Sequence, residues 1–283
     1  MPELPEVEAV RRGLNQLVQG KTIQQVIVSW PNIIDTSLPI DVWCRQLEGE
    51  TIETIQRRGK YLIFYLTHGA LISHLRMEGK YNFYPSEERP ADKGKHVHVR
   101  FFMTDNSQLD YQDVRKFGRM TLIERNDVQK YFNNKKLGPE PTKDQFALEA
   151  FANSLKKTHR RIKAVLLDQK AVVGLGNIYV DEVLFRAKIH PETYSDRLTF
   201  EQISQLREQI IQVMEEAIAK GGSTIRTYKN SLGESGQYQK ELQIYGKKGE
   251  LCRECGTPIE KIKVAGRGTH YCPHCQSGSE MRD

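Results

Sequence analysis

Four cysteines toward the end of the chain constrain it more than any other feature. Cys252 and Cys255, then Cys272 and Cys275, form two C-x-x-C pairs with sixteen residues between them, within the range of four-thiolate zinc sites. Each pair makes a tight knuckle that presents two thiolates to one tetrahedral ion, and the intervening residues are expected to form a hairpin. A segment of this size has too little core to fold without such a staple. Two disulfides are the rival reading, which the cytosolic location argued below disfavours. His270 and His274 offer alternative ligands, although four cysteines suffice. A closed shell of four thiolates leaves no open position for water or substrate, so the metal is expected to be structural and chemistry must lie elsewhere. The hairpin tip, residues 264–269, sets Arg267 between Gly266 and Gly268, either as an exposed turn arginine or as a phosphate contact. Cys44 has no partner pair and reads as a buried small side chain.

The rest of the chain is that of an ordinary globular protein. Its 283 residues, 38% hydrophobic and 28% charged, suffice for two modest domains or one large one. The longest apolar run, Leu62 to Leu66 after Tyr61, falls far short of the roughly 18 residues of a membrane span, so no transmembrane helix is expected. The start MPELPEVE is acidic and lacks an apolar segment, unlike a secretory signal, which points to the cytosol. A net charge of +6 favours a polyanionic partner only weakly. Local clustering says more: Lys156, Lys157, Arg160, Arg161 and Lys163 occur without an acid between them, and Arg57, Arg58 and Lys60 form a second cluster. Either is a solvated face or a phosphate-binding one.

Periodicity divides the chain. Val7, Val10, Leu14 and Leu17 recur at helical spacing after Pro5 and predict an amphipathic opening helix. Strands are predicted at 22–28, 61–66, 70–77, 96–103, 108–111 and 119–123, with turns at His68-Gly69 and Asp105-Asn106. Residues 133–143, beginning NNKKLGPEP, read as a linker. Helical spacing then dominates from 144 to 220, most clearly in Phe200, Ile203, Leu206, Ile210, Val213, Met214 and Ala217. The expected class is α+β: an N-terminal antiparallel β-sandwich with flanking helices over 1–132, a helical domain over 144–240 with a polar loop at 221–238, and a zinc ribbon over 241–283. No internal repeat or low-complexity tract is visible.

The opening Pro2-Glu3-Leu4-Pro5-Glu6 would, once Met1 is removed, expose a secondary amine beside a carboxyl group. Such an amine is a latent nucleophile able to form a Schiff base, although the same residues also serve as the acidic start of a helix. PELPEVE at the start, GKYL at 59–62, HLRMEG at 74–79, DVRKFG at 113–118, GLGNIYVDE at 174–182 and the cysteine pairs occur in this order. Together they closely resemble the bacterial formamidopyrimidine-DNA glycosylase family over essentially the whole chain.

That resemblance implies a bifunctional DNA glycosylase and abasic-site lyase of base excision repair, acting on duplex DNA that carries oxidised purines. Pro2 would attack C1′ of the damaged nucleoside, and Glu3 would protonate the opening sugar, work that suits a partly protonated carboxyl in an enclosed site. Glu6 would brace the nucleophile's surroundings. Lys60 and Arg267 match the positions described as proton donors for the first and second eliminations. A guanidinium with a pKa above about 12 donates protons poorly, so Arg267 is better suited to gripping phosphates. Met77, Arg115 and Phe117, the first and last of which would read as sheet core on their own, would fill the gap left by the extruded nucleotide. His74, His96, Lys163 and Asn177 match DNA-binding positions, Asn177 in a helix-two-turns-helix element. Thr158-His159 stands where relatives carry more lysine. Ser223, Ile225, Arg226, Thr227 and Tyr228, with Glu78, would read the lesion, since 8-oxoguanine bears a hydrogen on N7 where guanine presents an acceptor. One structural zinc ion, no nucleotide cofactor, no membrane association, a bacterial cytosolic location and a monomer are implied. The rivals are a sister enzyme of endonuclease VIII type for oxidised pyrimidines, and a noncatalytic zinc-ribbon DNA-binding scaffold.

Overall fold

The computed structural model describes residues 1–90, 92, 94–223 and 236–277. Two compact units emerge, one formed by 1–135 with Gly221 to Gly236, the other by 136–220 with 237–283. Of the polar loop predicted at 221–238 within the helical domain, 221–236 thus group with the first unit and 237–238 with the second.

The first unit opens on helix α1 (Leu4–Val18), whose Val7, Val10 and Leu14 are buried as the period predicts, whereas Leu17 is half-buried and Leu4 and Val18 complete the buried face. Each fully buried side chain contributes about 1.5–3 kcal/mol of hydrophobic stabilisation. Among the described residues of this unit eight strands follow: β1 (Ile23–Val28), β2 (Ile52–Arg58), β3 (Tyr61–Leu66), β4 (Gly69–His74), β5 (Lys80–Tyr84), β6 (Val97–Met103), β7 (Gln108–Gln112) and β8 (Arg119–Glu124). They form two antiparallel four-stranded sheets, ordered β1-β6-β7-β5 and β2-β3-β4-β8. One core joins them, with Leu62, Phe64 and Leu71 of one sheet clustering with Val99, Phe101, Leu109 and Tyr111 of the other. The edge of β2 is closed by Asn15, which donates to the Ile55 carbonyl (2.7 Å) and accepts from the Ile55 amide (2.8 Å). Cys44 lies buried on helix α2 (Ile40–Leu47).

Several local predictions need correction. β2 goes unpredicted because a register shift between Ile52 and Thr54 breaks its alternation, leaving Ile52 and Ile55 as its buried positions. β5 buries Tyr81 alone. The strand predicted to reach Met77 stops at His74, where Arg76 turns to φ 55° and the chain leaves the sheet. The linker begins later than position 133, because helix α3 (Val128–Lys135) continues through Asn133 and Asn134.

The second unit holds α4 (Leu148–Lys156), α5 (Ile162–Leu167), α6 (Asn177–Arg186), α7 (Phe200–Ala219) and a hairpin of β9 (Glu260–Val264) and β10 (Arg267–Tyr271). Helix α7 is fixed at its start by a capping box in which Thr199 accepts from the Gln202 amide and Gln202 from the Thr199 amide. Phe200, predicted on its apolar face, is instead exposed in the first turn. No described helix is long and apolar enough to cross a membrane.

Candidate active site and neighbouring loops

The start of α1 gathers the predicted catalytic carboxylates. Glu3 is the N-cap of the helix, and its backbone amide donates to Glu6 Oε2 (2.8 Å) within a reciprocal capping box. The second carboxylate oxygen of Glu6 accepts from the backbone amide of Ser223 (2.6 Å) and from its hydroxyl (3.1 Å). Gly222 must be glycine here, since it has φ 81° and a Cβ would stand 2.6 Å from Glu6 Oε1. Glu6 therefore ties the amino-terminal turn to residue 223 across 217 positions of sequence. Pro2, Glu3 (2% exposed) and Glu6 (5%) are all buried.

Lys60 joins them from the turn between β2 and β3. Arg58 pairs with Tyr61 across that two-residue turn, Gly59 adopts φ 57°, and Lys60 is 5% exposed, unusual for a lysine at a hairpin tip. The amino terminus feels all of these groups. Burial lowers the pKa of the Met1 amine, Glu3, Glu6 and the exposed Glu78 oppose the change, and Lys60 reinforces it. An amine with a depressed pKa spends more time neutral, the state in which nitrogen is nucleophilic.

Two loops carry the predicted gap-filling residues. In the first, Gly79 closes a turn onto the Leu75 carbonyl (3.0 Å), with Met77 half-buried between. In the second, the fully buried Asp113 carboxylate accepts from the backbone amides of Arg115 (3.0 Å), Phe117 (2.9 Å) and Gly118 (2.8 Å). This holds Arg115 and Phe117 outward: Phe117 is 48% exposed, and the Arg115 guanidinium lies 4.7 Å from its ring centroid. Phe117 is thus not sheet core. Both loops meet at the Tyr111 hydroxyl, which occupies the space that a Cβ on either Gly79 or Gly118 would need. His96, at φ 67° and half-buried, accepts from the Asp113 amide through its carbonyl and so stands beside the second loop.

His74 is buried at the end of β4, its ring edge-on to Tyr61 and its Nδ1 accepting from the Arg76 amide (3.0 Å). Burial, with the charges of Arg76 and Lys60, pushes its pKa down to about 3, so it stays neutral with its proton on Nε2. The folded protein then binds fewer protons than the unfolded chain between about pH 6.5 and 3, and stability falls as pH drops through that window. His74 alone should cost about 2 kcal/mol between pH 7 and pH 5. Urea unfolding of wild type and His74→Gln at both values checks this, and an unchanged pH slope in the variant refutes it.

The predicted basic run is mostly engaged within the second unit. Lys156 donates to the carbonyls of Asp196 (2.7 Å) and Leu198 (2.6 Å), Arg160 pairs with Asp168 (2.7 Å), and Arg161 donates to the Glu192 carbonyl (2.6 Å). Lys163, predicted to touch DNA, is fully buried 2.5 Å from Asp181 Oδ1, so it has no surface with which to meet a phosphate. Asp181 also accepts from the His270 amide (2.9 Å), and Asn177 donates to the Gly268 carbonyl (2.9 Å). Lys163, Asp181 and Asn177 therefore anchor β10, at whose start Arg267 is exposed beyond the Ala265-Gly266 turn. Nothing in the apolar pattern around Asp181 marked it as an anchor, except that an acid there faces a buried helix surface.

The four cysteines converge as predicted. Their sulfurs lie within 4.8 Å of one another, with Cys252 to Cys275 at 3.8 Å and Cys255 to Cys272 at 3.4 Å. Zinc–sulfur bonds of about 2.3 Å in a tetrahedron set the sulfurs about 3.8 Å apart. The cluster fits a structural zinc ion and is too open for disulfides, whose sulfurs sit at about 2.05 Å. Of the predicted lesion readers, Ser223 is buried against Glu6, whereas Ile225, Arg226, Thr227 and Tyr228 lie outside the described residues.

Three family models match in succession: the formamidopyrimidine-DNA glycosylase N-terminal domain over 1–120, the H2TH domain of the same enzymes over 137–229, and a zinc finger found in these glycosylases and in isoleucyl-tRNA synthetase over 249–278. The formamidopyrimidine-DNA glycosylase of Enterococcus faecalis is 57% identical over 276 residues, covering 98% of this chain and 97% of its own. That of Bacillus subtilis is 53% identical over 277 residues, covering 98% and 99%. Among solved structures, MutM bound to DNA containing carbocyclic 8-oxo-G is 48% identical with a TM-score of 0.91, covering 98% of this chain and 100% of that one. The Lactococcus lactis enzyme bound to abasic-site DNA matches with the same identity, TM-score and coverage. The sandwich, the H2TH helices and the ribbon are thus those of one class of DNA-processing enzyme. The chain belongs to the formamidopyrimidine-DNA glycosylase family.

Proposed function

We propose that the protein excises oxidised purines from duplex DNA and then cleaves the strand at the resulting abasic site, working in the bacterial cytoplasm. The observation that carries this reading is the cluster at the amino terminus: buried Pro2 beside buried Glu3, Glu6 and Lys60. With Met1 removed, the Pro2 nitrogen becomes a free secondary amine within this cluster. Its attack on C1′ forms the C–N bond, the glycosidic bond breaks, and the base leaves with the bonding pair. Glu3 delivers a proton to the ring oxygen as the sugar opens, giving an iminium ion. The iminium acidifies the C2′ proton, whose loss expels the 3′-phosphate in the first elimination, which Lys60 serves; the second elimination expels the 5′-phosphate, and water hydrolyses the Schiff base to free the sugar fragment. Exposed Arg267 grips a flanking phosphate. Met77, Arg115 and Phe117 fill the vacated stack, with the guanidinium meeting the acceptors of the orphaned cytosine. His74 offers a neutral Nε2–H to the backbone, and His96 and Asn177 lie on DNA-facing segments. The zinc ion would be held by Cys252, Cys255, Cys272 and Cys275 and would supply folding energy alone. Lesion reading falls to the segment from Ser223 through Tyr228, with Glu78 at its margin.

Matched duplexes carrying 8-oxoguanine opposite cytosine or thymine glycol, incubated with protein and borohydride, test this reading. Faster excision of 8-oxoguanine and a reduced adduct mapped by mass spectrometry to Pro2 are expected. Preference for thymine glycol would favour an endonuclease VIII-type enzyme, and absence of any adduct would overturn the mechanism.

A further inference from the structure

Glu8 has no part in the chemistry above, yet it is among the most heavily bonded carboxylates in the first unit. It is buried on α1, beyond Glu3 and Glu6, and accepts from Arg11 Nε (3.0 Å) and Nη2 (2.8 Å), Arg12 Nε (2.9 Å) and Arg57 Nε (3.2 Å). Burial pushes its pKa up, but the hydrogen bonds and charges of the arginines outweigh this and hold it at about 2, so it is ionised at any working pH. Arg11 and Arg12 pair with it along the helix and are more exposed. Arg57 reaches it from the end of β2 with a side chain only 13% exposed, and turns its Nη1 onto the Gly59 carbonyl (3.0 Å). Gly59 is the first residue of the turn whose second is Lys60.

We infer that Glu8 and Arg57 are positioning residues that lock the Gly59-Lys60 turn to the helix bearing the nucleophile, fixing where the Lys60 ammonium stands relative to the amino-terminal nitrogen. A two-residue hairpin tip is ordinarily free to sway. Here one guanidinium bridges a helix carboxylate and the turn's own carbonyl, so turn and helix move as one body. Proton transfer needs donor and acceptor within hydrogen-bond reach, and a misplacement of about 1 Å costs up to about 100-fold in rate. The bridge should therefore matter to the elimination that Lys60 serves and little to the attack by the amine. This inference rests on the role proposed for Lys60.

Single-turnover kinetics on an abasic-site duplex test it with Arg57→Met, Arg57→Lys and Lys60→Met, each checked for zinc content and thermal stability. Arg57→Met is expected to slow strand scission about 10- to 100-fold while borohydride trapping keeps nearly its wild-type rate. Arg57→Lys keeps the charge but cannot span both partners, so it should recover part of the scission rate at most. In Lys60→Met, adding Arg57→Met should slow scission no further, because the bridge then has nothing to position. Equal losses of trapping and scission in Arg57→Met, or losses that multiply in the double variant, would overturn the inference as merely structural. Scission impaired in Lys60→Met but intact in Arg57→Met would overturn it while sparing the role of Lys60. Scission intact in Lys60→Met would overturn that role and the inference with it.

Discussion

Glu3→Gln protein is expected to excise 8-oxoguanine about 10²- to 10⁴-fold more slowly than wild type, the usual worth of a positioned general acid. Glutamine is a fair test because it preserves the structural half of Glu3's work. As N-cap residue, Glu3 accepts from the Glu6 amide through its side chain, and a glutamine oxygen accepts equally well. Helix α1 and the Glu6 bridge to Ser223 should survive, and only the proton is lost. Starting from DNA that already contains an abasic site, where the base is gone and the sugar opens readily, the same variant should cut far closer to the wild-type rate. Rapid-quench gels on both substrates separate the two effects. Excision within tenfold of wild type would remove Glu3 from the mechanism, and equal losses on both substrates would make its role structural.

Removing zinc should have an effect of comparable size by a different route. The apolar core of the ribbon consists of Phe185, Ile244 and Ile259 beside the cysteines themselves. Fully buried side chains of this kind contribute about 1.5–3 kcal/mol each, against about 10–16 kcal/mol for structural zinc in small domains. The anchors to the helices, Asp181 to the His270 amide and Gln276 to the Ile189 carbonyl (2.8 Å), only form once the hairpin exists. Cys272→Ser protein, or wild type stripped by a chelator after mild unfolding, should lose protease resistance over 249–277 and bind lesion DNA roughly 100-fold more weakly, since the hairpin bearing Lys261, Lys263 and Arg267 no longer presents its cations. Retained affinity with no bound metal would refute a structural role for the ion.

Both predictions concern residues that the sequence itself singled out. Two close cysteine pairs leave few alternatives to one metal ion, and a helix with apolar residues every three or four positions has only one face to bury. α1, α7 and the ribbon were legible for that reason. Strands were legible where the chain is a continuous apolar run, as in β3, or close to alternating, as in β6, and missed where a bulge breaks the pattern, as in β2, or only one side chain is buried, as in β5. The motifs around Lys60, Met77, Arg115 and Asn177 pointed to function through family resemblance, because no local period distinguishes a wedge from a core residue.

What the sequence determined by itself was therefore the amphipathic opening helix, the metal-ligand set and the order of the motifs. The first two are fixed by short spacings along the chain. Only the tertiary structure decided which charges are free to act. Lys163 and Arg267 look alike as basic residues, yet one is sealed against Asp181 and the other exposed at a hairpin turn. Glu6 and Glu8 look alike as acids two residues apart, yet one holds Ser223 and the other Arg57. The physical reason is that an ionised side chain takes its role from the partner that desolvates it. That partner lies 49 residues away for Glu8 and 217 for Glu6, brought near by the packing of the whole unit.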